Sequence, residues 1–348
     1  MSDYNISRVS PNDKRSNKLI DELLSGEGIR RDKNLDYTCA MFDEDFNVIA
    51  TGSCYGNTLR CLAVSSAHQG EGLMNQIMTH LTEVQFGRGY SHLFLYTKSS
   101  ASRFFSDLGF YEIVSIANKV VFMENKRRGF SDYIDHLSEN KKSGKTVAAI
   151  VMNGNPFTLG HLYLVEKAAK ENDVLHLFIV SEDVSLVPFE VRKRLIMEGT
   201  AHLPNICYHD SGPYIVSTAT FPSYFQKDSE AVIESHALLD LEIFIKISKA
   251  LGINKRYVGE EPNSQVTAIY NDIMKERLPE SGIGCVIIPR KETTGTVISA
   301  STVRKMIKDG EFSLLTSYLP PSTLRYFESE EAKPVIQKIR EADQVIHY

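Results

Sequence analysis

Two short clusters, one near the middle of this 348-residue chain and one near its carboxyl end, carry the residue types that hold anions. The first runs Asn153-Gly154-Asn155-Pro156-Phe157-Thr158-Leu159-Gly160-His161, and the second Ser299-Ala300-Ser301-Thr302-Val303-Arg304. Each spans the expected start of a helix. Leu162, Val165, Ala168 and Ala169 recur at helical spacing after the first, and Val303, Met306 and Ile307 do so in the second. A helix start leaves backbone N–H groups without intrahelical partners and carries the positive end of the dipole, so each cluster is an expected anion site, with phosphate as the expected occupant. Ser299 is the expected N-cap of the second helix, with the Ser301 and Thr302 hydroxyls in its first turn.

Such groups need a rigid frame. Residues 146–152 form an uninterrupted apolar run rich in β-branched side chains, the pattern of a strand buried on both faces of a parallel sheet, and Asn153 through Pro156 ends it abruptly. A second apolar strand is predicted over 174–180 and a helix over 189–201. Short strands are predicted at 206–209, 256–258 and 285–288, separated by helical stretches such as 238–251. Strands alternating with helices imply a doubly wound parallel sheet whose ligands lie at the carboxyl ends of the strands, where His161 falls.

The first half has another rhythm. Strands predicted over 37–42, 48–53 and 59–64, with turns at Asp43-Glu44-Asp45 and Gly56-Asn57, make an antiparallel meander. A turn containing Gln69, Gly70 and Gly72 then enters a helix faced by Leu73, Ile77, Met78 and Leu81. A strand over 92–97 precedes the segment from Ala101 to Phe110. A charged stretch, 124–145, follows; Phe130, Tyr133, Ile134 and Leu137 place an amphipathic helical turn or two in it, as in a docked linker. The expected organisation is therefore a mixed α/β domain over 1–125, a linker over 126–144 and a doubly wound domain over 145–348.

A net charge of −5 with no long basic run argues against a general nucleic-acid binder. Five scattered cysteines without a C-x-x-C pair argue for reduced thiols rather than a disulfide framework or a zinc site. No apolar run approaches the roughly 20 residues that span a bilayer, and the polar start does not read as a signal peptide. A cytoplasmic protein without membrane or nucleic-acid partners and without a protein-held metal is expected.

Thr158-x-Gly160-His161, with Asn155-Pro156-Phe157 ahead of it, resembles the T/H-x-G-H motif of the nucleotidyltransferase superfamily, whose members cleave ATP between the α and β phosphates. The segment from Ile298 to Arg304 resembles the motif that closes the triphosphate site in the same superfamily. The resemblance implies that Asn153, Asn155, Pro156, Phe157, Gly160, Ser299, Ser301, Thr302, Arg304 and Arg290 bind ATP. Gly160 would admit a phosphate close to backbone, and His161, with Thr158, would stabilise charge as pyrophosphate departs. Residues 1–125 resemble the GNAT acyltransferases. Gln69, Gly70 and Gly72 fall in the loop that there binds the pyrophosphate of coenzyme A, whereas Met74 and Phe105 stand where glycine or alanine and a tyrosine general acid are usual.

Relatives that adenylate phosphorylated acceptors place lysine or arginine after the second and fourth strands. Ser181-Glu182-Asp183 and Gly259-Glu260-Glu261 stand there instead, so a small carboxylate is the expected acceptor. With the stretch 214–225 and Gly259-Glu260-Glu261-Pro262, the whole chain is similar to the citrate lyase ligase family. That likeness implies a ligase for which ATP, with Mg²⁺ on its phosphates, and acetate give acetyl-adenylate, and whose partner is the citrate lyase acyl carrier protein with its dephospho-CoA-derived thiol arm. Two other readings stay open: a CoA-dependent acetyltransferase with a nucleotide-sensing domain, and an adenylyltransferase making a dinucleotide cofactor.

Overall fold

The structure, a computed structural model, describes residues 4–139, 141–182, 184–215, 229–260, 265–293 and 296–342. Asp183, residues 216–225, Glu261 and Pro262, all singled out above, lie outside these. The chain divides into two compact units: the described residues through Asp132 with the start of a later helix as far as Leu239, and those from Tyr133 with the remainder from Asp240 onward.

The first unit contains β1 (Ile6–Arg8), α1 (Lys14–Gly26), β2 (Tyr37–Phe42), β3 (Val48–Tyr55), β4 (Thr58–Val64), α2 (Leu73–Gly87), β5 (Phe94–Thr97), α3 (Ser102–Asp107), β6 (Tyr111–Ile116) and β7 (Val120–Glu124). Its sheet has the order β1-β2-β3-β4-β5-β7-β6, with β2, β3 and β4 the expected antiparallel meander. Ile77 and Leu81 of α2 press on β3 so closely that a Cβ at Gly52 would lie 2.6 Å from Ile77 and 2.8 Å from Leu81. β4 and β5 run parallel and pair only at Thr58–Phe94 and Leu59–Leu95, near their starts. Beyond that point the two strands part and open a wedge at their carboxyl ends.

The division between the units falls within α4 (Gly129–Glu139), the helix expected from the linker's apolar spacing. Then follow β8 (Val147–Met152), α5 (Leu159–Glu171), β9 (Val174–Ile179), α6 (Phe189–Gly199), β10 (Ile206–Asp210), α7 (Ser229–Leu251), β11 (Lys255–Gly259), α8 (Gln265–Glu280) and β12 (Gly284–Ile288). A short hairpin, β13 (Glu292–Thr293) with β14 (Thr296–Val297), leads into α9 (Ala300–Asp309), α10 (Pro321–Glu328) and α11 (Lys333–Glu341).

The second sheet is parallel throughout, in the order β10-β9-β8-β11-β12, so the first strand in sequence is central and the winding reverses beside it. β8 pairs along its full length with β9 but meets β11 only at Ala148–Lys255 and Ala149–Arg256. The gap at their carboxyl ends is the crevice that a doubly wound sheet offers to ligands. Ile150 and Met152 share one core with Val165 and Ala168 of α5, Val303 and Ile307 of α9, Tyr326 and Phe327 of α10, and Val335 and Ile339 of α11. Burial thus locks the last helices to the strand that carries the first anion cluster.

Candidate active site

Thr158 is the N-cap of α5. Its backbone is extended (φ −115°, ψ 169°), and its Oγ1 accepts from the His161 N–H at 3.4 Å. In return the Thr158 N–H donates to His161 Nδ1 at 3.1 Å, and Thr158 Oγ1 lies 2.9 Å from the same nitrogen. A backbone N–H can only donate, so Nδ1 is unprotonated and the neutral ring carries its hydrogen on Nε2. Burial, and then the positive charges of Arg290 and Arg304, lower the His161 pKa to about 4. Phe157, fully buried, stacks on the ring at 6.0 Å. The imidazole is therefore a fixed, uncharged donor at the helix start.

The second cluster meets the first. Ser299 caps α9 through a 3.0 Å bond from the Thr302 N–H, and its Oγ also lies 2.9 Å from Ser301 Oγ and 2.8 Å from Thr302 Oγ1. A Cβ on Gly160 would stand 2.8 Å from the carbonyl oxygen of Ile298, the residue before this cap. The missing side chain at Gly160 thus lets the backbone leading into α9 come close to the start of α5. Arg304, buried within α9, donates from Nη1 to the carbonyl of Asn155. The two helix starts consequently lie side by side.

The remaining predicted residues surround them. Asn155 is buried; its Oδ1 accepts from the Val187 N–H at 3.0 Å, while its Nδ2 has no partner among the described residues. Asn153 bonds the buried Ser185 through Nδ2, at 3.0 Å. Pro156 follows a cis peptide bond from Asn155. Arg290, two residues past β12, is half-buried and donates to the carbonyl of Glu260 at 2.6 Å. Sequence reasoning missed Tyr318, whose carbonyl takes the Leu159 N–H at 2.9 Å and so satisfies one of the first-turn amides of α5. Nothing in the spacing around Tyr318 signals that.

In the first unit, Gln69, Gly70 and Gly72 line a cavity of about 630 Å³ in the wedge between β4 and β5. Leu62, Val64, Tyr96, Phe104 and Phe105 give it apolar walls. Gly70 (φ +90°) and Gly72 (φ +77°, the N-cap of α2) take left-handed conformations that other residues rarely adopt, so the loop presents backbone at the helix start. Phe105 is buried and has no hydroxyl to offer. Burial pushes the thiols of Cys39, Cys54 and Cys61 up to about 12, which keeps them protonated at neutral pH. Among the described residues no helix is long and apolar enough to cross a membrane.

Fold and site together define a two-unit α/β protein, a doubly wound parallel sheet with two capped helix starts at its strand ends following a mixed, meander-based sheet. The GNAT acetyltransferase family model matches residues 11–110, and the model of the citrate lyase ligase C-terminal domain matches residues 147–327. The chain is 36% identical over 328 residues to the citrate (pro-3S)-lyase ligase of Haemophilus influenzae, covering 92% of this chain and 97% of that one. It is also 36% identical to the enzymes of the same name from Klebsiella pneumoniae (90% and 93% covered) and Escherichia coli K12 (86% and 87% covered). The chain belongs to the citrate lyase ligase family.

Proposed function

We propose that this protein activates acetate with ATP, releasing pyrophosphate, and passes the acetyl group of the resulting acetyl-adenylate to the thiol of a CoA-like arm on the citrate lyase acyl carrier protein. The observation that carries the reading is the meeting of two capped helix starts, at Thr158 and Ser299, across the Gly160–Ile298 contact. ATP would lay its phosphates over both. A carboxylate oxygen of acetate attacks the α-phosphorus, the bond from that phosphorus to the bridging oxygen breaks, and pyrophosphate leaves. The protein positions the groups and stabilises charge.

His161 supplies its Nε2–H to the oxygens that gain charge, without moving a proton. Arg304 acts from behind, holding the Asn155 carbonyl and lending positive charge, while Arg290 stands at the rim. Among the described residues no cluster of three or more His, Cys, Asp or Glu side chains is placed to hold a metal, so a Mg²⁺ would arrive on the phosphate oxygens. In the second half-reaction the thiol sulfur attacks the acetyl carbonyl carbon, the bond from that carbon to the phosphate oxygen breaks, AMP leaves with its electron pair, and the thiol proton passes to water. The wedge cavity, with Gln69, Gly70 and Gly72 at its mouth, suits a pantetheine chain with a pyrophosphate on those backbone amides. The domains are read as 1–125, 126–144 and 145–348. The deciding experiment is AMP formation from ATP and acetate, with and without the deacetylated carrier; no carrier-dependent acetyl transfer would overturn the assignment.

A further inference from the structure

The wedge cavity of the first unit passes through its sheet. Side chains alternate along β4: Leu62 and Val64 pack with Ile77 and Leu81 beneath α2, whereas Ala63 packs with Ile20 and Leu24 beneath α1 on the other face. All three of those β4 residues line the cavity, as do Gly72 and Met74 at the start of α2 and Glu27 and Ile29 just after α1. One end is therefore ringed by the backbone of the loop from Gln69 to Gly72. At the other end stands Lys98, the first residue after β5, whose Nζ lies 3.8 Å from where a Cβ on Gly28 would be.

Lys98 is exposed and has no ion-pair or hydrogen-bond partner among the described residues. The other titratable side chains on the walls are Glu27, whose Oε1 accepts from the Ser66 N–H at 2.9 Å, His68 and Tyr96. A chain that rests an anionic head on the loop amides at the start of α2 and threads the wedge brings its far tip to the α1 side, beside the one ammonium lining the cavity. We propose that Lys98 holds the sulfur of a pantetheine-type thiol as the thiolate. The S–H bond breaks, its electron pair stays on sulfur, the proton passes to water, and the ammonium faces the resulting anion. The thiolate is the form that attacks an acyl carbon, and an adjacent cation favours it. This rests on the reading above that seats the carrier's arm in the wedge.

The test uses dephospho-CoA bound to the full-length protein, with ionisation of its thiol followed across pH by the ultraviolet absorbance of the thiolate and thermal unfolding measured alongside. The bound thiol should ionise at a pH about one unit or more below that of free dephospho-CoA. Lys98→Met should return the midpoint to the free value, about a tenfold gain in proton affinity, while Lys98→Arg, which keeps the charge, should retain most of the effect. Lys98→Gln serves in its place if Lys98→Met does not fold. An analogue of dephospho-CoA without the sulfur should bind the parent and Lys98→Met equally in calorimetry, which separates ionisation from packing. A parent midpoint equal to that of free dephospho-CoA, or one that a folded Lys98→Met leaves where it was, overturns this inference while the seating of the arm stands. Parent protein that binds neither compound overturns the seating of the arm and this inference together, so the two failures are distinguishable.

Discussion

The guanidinium of Arg304 donates to the carbonyl of Asn155, a residue 149 positions earlier, and so joins the second anion cluster to the turn that begins the first. Both residues are buried. Arg304→Met should therefore act on stability as well as on catalysis. Leaving a buried acceptor unsatisfied costs about 1–3 kcal/mol. Urea unfolding should show a loss of that order, with exchange activity falling further than stability alone explains. An unchanged midpoint would mean that the tie is not formed in solution.

On the proposed reading, His161→Ala removes the one hydrogen that the ring would offer to the phosphates. Loss of a single donor of this kind costs about 10²–10³ in turnover, roughly 3–4 kcal/mol. Exchange with saturating ATP and acetate should fall by that factor while ATP binding weakens far less. Exchange that survives intact would take His161 out of the chemistry.

Gly160→Ala tests the contact between the two clusters. The new methyl would press on the Ile298 carbonyl at 2.8 Å, and overpacking of that kind costs about 1–3 kcal/mol. Both thermal stability and exchange should drop. A variant as stable as the parent would show that the start of α9 gives way freely.

Much of the second unit was legible because a parallel strand buried on both faces announces itself as an unbroken apolar run. β8, β9 and the cap at Ser299 follow from that pattern and from hydroxyl placement. Arg304 was less legible. A charged residue beside hydroxyls reads as a phosphate ligand, and only the fold reveals that Arg304 is inside the protein and bonded to a carbonyl of the first cluster. β6 and β7 also escaped the sequence reading; their turn at Asn118 uses a left-handed residue (φ +59°) that is not glycine. α8 carries a proline, Pro279, near its end and little apolar periodicity, which hid it.

Acid should loosen the fold through buried imidazoles. His176 Nδ1 and His209 Nε2 lie 2.8 Å apart on the adjacent strands β9 and β10, and burial lowers both, like His161, from 6.5 to about 4. Between those values the unfolded chain takes up protons that the folded chain refuses. Stability present above about pH 6.5 is therefore lost as pH falls toward 4. Urea midpoints measured across that range should decline with falling pH, and His176→Gln should flatten the decline. A variant with the parent's slope would exclude the pair as its source.

The wedge cavity can be probed through Gly72→Ala. Its left-handed conformation disfavours a side chain by roughly 1 kcal/mol although the surrounding space is open. Binding of dephospho-CoA, followed by calorimetry, should weaken severalfold, while acetate-dependent exchange stays within twofold. Loss of both activities together would indicate general damage rather than a local binding defect.

Because Arg304 and Ser299 come after every strand of the parallel sheet, a nascent chain released through Ile288 would hold all five of those strands yet only one of the two helix starts to which the proposed reading gives the phosphates. Competence to use nucleotide would then arrive late in synthesis, with the closing helices, so a prematurely terminated product should be unable to waste ATP.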